Sequence, residues 1–540
     1  KYEAQDRGVS TGRYPDGSSE FYPLTNPTPG SANSQIRVSD VVINEIMYAP
    51  ISRDDNDEYV ELFNRSTNVV DISGWRFVDG IDYTFPTNTL IKPGQYIVVA
   101  KNATNLLSKY PQLNSTNTFG NFSGSLANGG ERIALAKWRD VARSNLLAAP
   151  LVSSLTAPQK RDFIIPTNSD YLIGTNRIYI VVDEVTYNTG GEWCEWSKYG
   201  GSSLELIDAH SNKRLPSNWA DSDETQKAEW TDFSVAGYVD NGTTSAADQL
   251  QVLLQGAGEC LIDNIEVINN LGQNVIPNST FESGVSGWVA EGTEEGSSLE
   301  TGEGYQSSKS YHVRAVERGD NQINRIRINL SSSLTANTIA TIRGKVRWLK
   351  GHPEILFRIR GCWHEAAVKM NTPRNPGTPG LPNSRLITNA PPAIYEIAHT
   401  PVVPLFGENI VVTARVHDPD GISSLNLRYR IDPSANYTVV PMLDDGTGGD
   451  EIAGDGIYSA TIPGQQTGVL VAFYISASDL ANPSNLSIYP KDAPNRECLV
   501  LFGDSTPTGN FPVYRLWMTQ AIFYKWSNRH KLHNTPLPIT

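Results

Sequence analysis

Short runs in which apolar and polar positions alternate recur along the whole 540-residue chain. Glu58-Tyr59-Val60-Glu61-Leu62-Phe63 is such a run, and its period of two suits a sheet with one wet face. Val41 to Tyr48 precedes it, across an acidic turn at Asp54-Asp55-Asn56-Asp57. Further strands are predicted at 75–78, 96–100, 132–137, 177–182 and 203–207, separated by turn signals such as Lys92-Pro93-Gly94 and Asn128-Gly129-Gly130. The same texture predicts strands at 249–254, 261–268, 312–316, 324–329, 340–348 and 355–360. It returns at 410–416, 424–430, 438–442, 457–462 and 470–476. Helix is expected at 102–109 and, capped by Thr519, at 520–530. Short strands between frequent turns predict a mostly-β chain of several sandwiches or barrels.

One stretch is repeated. Thr28-Pro29-Gly30-Ser31-Ala32-Asn33-Ser34 returns as Thr378-Pro379-Gly380-Leu381-Pro382-Asn383-Ser384, identical at five of seven positions. Each copy lies in a Pro/Gly/Asn-rich connector before a run of alternating apolar residues, where Pro fixes φ and Gly supplies positive φ. Either these are two unrelated turns of similar composition, or each closes a similar domain. On the second reading, which we prefer, residues 1–35 are the tail of a preceding copy. Lys1 follows no leader and Thr540 follows an apparent helix, so both ends are expected to be cut.

Asn44-Glu45-Ile46-Met47-Tyr48 and Asp57-Glu58-Tyr59-Val60-Glu61-Leu62-Phe63-Asn64 open a series of ordered blocks. Asp71-Ile72-Ser73-Gly74-Trp75, Ile91-Lys92-Pro93-Gly94-Gln95-Tyr96 and Ser203-Leu204-Glu205-Leu206 complete it. The series resembles the lamin-tail domain, an immunoglobulin-like β-sandwich, over residues 36–237, with 138–175 as an insertion. Asn278-Ser279-Thr280-Phe281-Glu282-Ser283-Gly284 with Gly287-Trp288 looks like the opening of a carbohydrate-binding jelly roll over 238–372. Ile262-Asp263-Asn264-Ile265-Glu266-Val267 resembles the strand that ends such a domain, here in permuted order. A linker at 373–390 leads to a unit at 391–500 that resembles immunoglobulin- or fibronectin-like domains, through His417-Asp418-Pro419-Asp420-Gly421 and the loop from Asp444 to Asp450. Residues 501–540, with Tyr514-Arg515-Leu516-Trp517-Met518-Thr519-Gln520 and Trp526, look like the start of a CotH-type domain. That family includes atypical secreted protein kinases, whose catalytic motifs would lie beyond Thr540.

Composition narrows the function classes. Lys and Arg number 44 against 58 Asp and Glu, a net charge of −14, and a general nucleic-acid binder needs the opposite sign. No window approaches ~18 consecutive apolar residues, so no membrane-spanning helix is predicted. No H-E-x-x-H, C-x-x-C, G-x-S-x-G or Walker pattern occurs.

The candidate chemistry lies in acidic loops and aromatic residues. Asp444, Asp445, Asp450 and Asp455, interrupted by glycines, either bind Ca²⁺ through carboxylate oxygens or form a solvated turn. The jelly-roll resemblance implies a second, structural calcium on Asp263 and Glu282. Trp288, Trp348 and Trp363, with Tyr305 and Tyr311, either stack on sugar rings or are buried. Cys194, Cys260, Cys362 and Cys498 are either buried thiols or, on export, include a Cys260–Cys362 bridge.

The resemblances together imply an extracellular or cell-surface structural and adhesion protein, secreted, forming a filament or surface assembly. Self-association or other surface proteins are the expected partners, with glycans besides, and strand edges are the expected contacts. The alternatives are the non-catalytic arm of a CotH-like kinase and a carbohydrate-binding module protein. No catalytic residue is assigned to this chain.

Overall fold

The computed structural model describes residues 4–6, 8–18, 20–142, 175–240, 245–504 and 514–538. Of the insertion expected at 138–175, residues 143–174 lie outside them, while 138–142 and Thr175 belong to two paired strands. The chain is mostly β, in three sandwiches with separate cores.

The first sandwich has a six-stranded sheet in the order Trp219–Asp221, Leu204–Leu206, Val41–Met47, Tyr59–Asn64, Tyr96–Ala100, Thr118–Gly120. Only the last pair is parallel. Facing it is a three-stranded sheet of Thr175–Asn188, Gly130–Ala142 and Arg76–Asp79. Val60 and Leu62 point inward with Ile43 and Ile46 to form the core with Phe77, Phe85 and Leu135. The other face of the six-stranded sheet is also covered. Helix Ala103–Lys109, N-capped by the Asn102 side chain on Asn105 N, seats Leu106 against Met47, Tyr59 and Val98.

The second sandwich has two five-stranded antiparallel sheets. One runs Thr231–Tyr238, Ile339–Gly351, Gly258–Ile268, Lys309–Ala315, Ser298–Thr301, and the other Trp288–Glu291, Arg325–Asn329, Gln249–Leu254, Glu354–Ile359, Glu365–Lys369. Thr231–Tyr238 pairs along its whole length with Ile339–Val346. A boundary at 237 would cut this strand from its sheet, so the second unit starts near Trp230. The stretch 262–267, which resembled a terminal strand, is central in its sheet.

The third sandwich packs Ala393–Thr400, Ile410–His417 and Ile457–Ile462 against Thr438–Pro441, Ile422–Ile431, Leu470–Asp479 and Leu486–Tyr489, with Cys498–Leu501 beside Leu470–Asp479. A last helix, Gln520–Asn528, is capped by Thr519 Oγ1 on Ile522 N. The turn after it rests on the second sandwich, where Thr535 Oγ1 donates to Gly292 O at 2.6 Å. Among the described residues no helix is long and apolar enough to cross a membrane.

Residues 373–390, expected as a linker, pack on the first sandwich instead. Gly377, Pro379 and Asn383 are buried. The chain thus builds most of the first sandwich, makes the whole second one, and returns to close the first. Arg347 of the second unit ties the crossing point, donating to the carbonyls of Thr225 and Ala228 at 2.7 and 2.8 Å. Gly201 of the first unit touches the Trp348 ring, and an added Cβ there would lie 2.3 Å from it.

Candidate functional site

The returning segment closes over carboxylates. Glu45 stands opposite Glu61 on one neighbouring strand and Glu205 on the other, so three glutamates form a row across the sheet. All three are fully buried. Like charges side by side in a dry site repel, and burial disfavours each charge. Burial, then Glu205, pushes Glu45 up to about 8. Burial, then Glu45, holds Glu61 well above the usual carboxylate range.

Donors from the strap answer these acceptors. Glu45 Oε1 accepts Thr378 N at 2.8 Å and Tyr59 OH at 2.7 Å. Glu61 Oε2 accepts Gly380 N at 2.5 Å. Glu205 accepts Thr378 Oγ1, Ser384 Oγ and Arg385 N at 2.8, 2.8 and 2.9 Å. A fourth buried carboxylate, Glu224, accepts Gly377 N at 2.8 Å. Asn383 locks the end: its Nδ2 donates to the carbonyls of Asn44 and Leu206, and its Oδ1 accepts Asn44 Nδ2 at 2.7 Å. The strap amides of Gly377, Thr378, Gly380 and Arg385 thus each donate to a buried carboxylate, while Glu45 Oε2 is buried without a hydrogen-bond partner. The alternation at Glu58–Phe63 suited a sheet with one wet face, and the burial of Glu45, Glu61 and Glu205 side by side was not predicted.

The predicted cation ligands divide. Single carboxylate oxygens of Asp444, Asp450 and Asp455 lie within 4.8 Å of one another. The loop's own amides already use them: Asp444 accepts Gly454 N, Asp455 N and Gly456 N at 2.6, 3.1 and 2.9 Å, and Asp450 accepts Gly446 N at 2.6 Å. Asp445 turns away to Thr447. Asp263 Oδ2 accepts Tyr305 N and Ser307 Oγ at 2.8 and 2.9 Å, while Glu282 accepts Ser308 Oγ and Lys309 N, both at 2.9 Å. These two carboxylates therefore pin one loop at neighbouring positions.

Two of the expected sugar-stacking rings are placed otherwise. Trp288 and Trp348 belong to the core of the second sandwich, 6% and 0% exposed, with their indole N–H groups bonded to Asn278 O and Gly351 O. Tyr311 packs on Phe281 in the same core. A ring needs an open face to stack on a sugar, and these have none. Trp363 is 63% exposed, and Tyr305 lies half-buried beneath the Lys345 ammonium. Cys260 and Cys362 line one core as free thiols, and no bridge joins them.

An open cleft of about 740 Å³ lies where the three units meet. Trp193, Trp196, Glu195 and Asp221 of the first sandwich face Lys350 of the second and Lys491 of the third. Lys350 sits 5.4 Å from the centre of the Trp196 ring. Asp221, raised by burial, accepts Trp196 N at 3.1 Å. Half-buried indoles beside paired charges suit a polar ligand with flat apolar faces. The signal in the sequence was the aromatic pair in Gly190-Gly191-Glu192-Trp193-Cys194-Glu195-Trp196, which sequence reasoning passed over.

A family model, Lamin Tail Domain, matches residues 34–147, which hold four strands of the six-stranded sheet and carry Glu45 and Glu61. The chain is accordingly a β-sandwich module protein with an immunoglobulin-like lamin-tail segment. No curated protein matches the sequence. Among solved structures it is similar to a DUF4785 family protein from Legionella pneumophila, at 8% identity and a TM-score of 0.13. That match covers 48% of this chain and 64% of the other, so this chain spans just under two thirds of that relative. The mouse nectin-like molecule 4 ectodomain (Ig1–Ig3) matches over 52% of this chain and 98% of its own, at 8% identity and a TM-score of 0.14.

Proposed function

We propose that the chain is a non-catalytic structural module of an extracellular or cell-surface assembly, its sandwiches coupled so that load on one is borne by the next. The observation that supports this is the nesting. The second sandwich lies between two parts of the first, and the part that returns is sealed by Glu45, Glu61, Glu205 and Glu224. An ordinary linker between independent domains has no such buried contacts. Single-molecule stretching of the full chain from its ends tests the reading. The first and second sandwiches should lengthen in one coupled event, and Asn383→Ala should split it into two. Independent lengthening of the unmodified units would refute it.

A glycan-binding role is a second reading, favoured by the cleft walled by Trp193 and Trp196 rather than by the jelly-roll tryptophans. Binding on a glycan array that survives Trp196→Ala would end it.

A further inference from the structure

The two copies of the repeated stretch share more than sequence. In each, Pro stands second and Gly third in a turn closed by a bond from the fourth amide. Ser31 N donates to Thr28 O at 3.2 Å, and Leu381 N to Thr378 O at 3.0 Å. Gly30 and Gly380 have φ of 78° and 84°. In each, the Asn carboxamide then reaches the last residue of a short strand. Asn33 Nδ2 donates to Arg13 O at 2.9 Å, and Asn383 Nδ2 to Leu206 O at 2.8 Å.

Those strands occupy matching hairpins. Thr11–Arg13 pairs with Phe21–Pro23 as Leu204–Leu206 pairs with Trp219–Asp221. Even the bond beside them is reproduced, from Leu24 N to Ser10 O at 2.9 Å and from Ser222 N to Ser203 O at 3.0 Å. The two copies differ in what lies beyond. Leu204–Leu206 is flanked on its other side by Val41–Met47, with Leu204 opposite Ile46 and Glu205 opposite Glu45. Among the described residues Thr11–Arg13 has no second neighbour, for its sheet has two strands. The Thr28 hydroxyl is buried without a partner, where Thr378 Oγ1 donates to Glu205. Gly12 occupies the place of Glu205, which is why Thr28 finds no carboxylate within its own hairpin.

We propose that this hairpin and turn are the closing element of a second lamin-tail sandwich, and that Thr11–Arg13 binds a strand of the Val41–Met47 type from outside this sandwich. The occupant is a strand with an Asn-Glu pair among apolar residues. Its Asn meets Asn33 as Asn44 meets Asn383, and its Glu faces the Thr28 amide as Glu45 faces that of Thr378. The hairpin is held ready for it. Arg214 donates to Phe21 O at 2.9 Å from the first sandwich, and Tyr14 packs edge-on to His417 of the third. An exposed strand edge with preset partners recruits another strand through main-chain bonds. The proposal goes beyond the load-bearing reading and holds or fails independently of it.

The probe is a labelled synthetic peptide of residues 38–49, titrated into the full chain by fluorescence anisotropy. Saturable binding is expected, weakened about tenfold by Asn33→Ala in the protein and similarly by an Asn44→Asp change in the peptide. Gly94→Ala in the protein, at a turn where an added Cβ meets nothing within 4 Å, should leave it unaltered. Hydrogen exchange should show new protection at 11–13 and none at 204–206. No saturable binding, equal affinity for the Asn33→Ala protein, or protection confined to 204–206 would overturn it.

Discussion

The amide of Thr378 donates to Glu45 Oε1 at 2.8 Å across 333 residues of chain. Between the two lies the whole second sandwich, so this contact makes two modules one structural unit.

Asn383→Ala should lower the stability of the first sandwich by about 2–4 kcal/mol, because it removes three bonds from a buried site, two of them to Asn44. Denaturant unfolding checks this. The third sandwich, with its own core, should unfold as before.

Gly377→Ala should cost more than a backbone effect alone. At φ +80° any side chain pays about 1–2 kcal/mol, and the added Cβ would lie 2.2 Å from Tyr59 Oη and 2.4 Å from Glu45 Oε1. Gly94, at φ +69° with nothing within 4 Å, is the control. Thermal melts should place Gly377→Ala clearly below Gly94→Ala.

Stability of the first sandwich should fall as pH rises. Glu45 titrates near 8 when folded against an ordinary 4.5, so the folded state holds a proton that the unfolded chain releases. That contribution is complete below about pH 4.5 and is lost through pH 8. Glu61 and Glu224 shift the same way, through burial. Melting curves from pH 5 to pH 8.5 should decline, and Glu45→Gln should flatten them. A melting temperature that climbs over this range would contradict the assignment.

Calcium is proposed for the loop of Asp444, Asp450 and Asp455. Weak extracellular-type sites have dissociation constants of about 10⁻⁴–10⁻³ M, so calorimetric titration at millimolar calcium should give a one-site isotherm that Asp450→Asn abolishes. Heat equal to that of buffer dilution would assign the loop to backbone capping alone.

Period-two alternation made the strands legible, because a half-buried strand shows its pleat in any short window. Thr231–Tyr238 alternates in burial as well as any, yet no strand was expected there and a boundary was placed inside it, for its partner Ile339–Val346 lies about a hundred residues on. Glu45 and Glu61 were illegible for a related reason. Their alternation says only which face they share, and the segment that covers that face arrives more than 300 residues later. Trp288 and Trp348 read equally well as groove or core, and only the opposing sheet decides. The repeat was the exception: a rigid Pro-Gly turn keeps its local conformation wherever it docks, so its geometry followed its sequence.

Native-state hydrogen exchange at the strap amides tests the nesting most directly. Gly377, Thr378, Gly380 and Arg385 donate to buried carboxylates. Their amides should be as protected as those of Val41–Met47 and should lose protection with them under mild denaturant. Exchange at the rate of an open linker, with Val41–Met47 still protected, would contradict it.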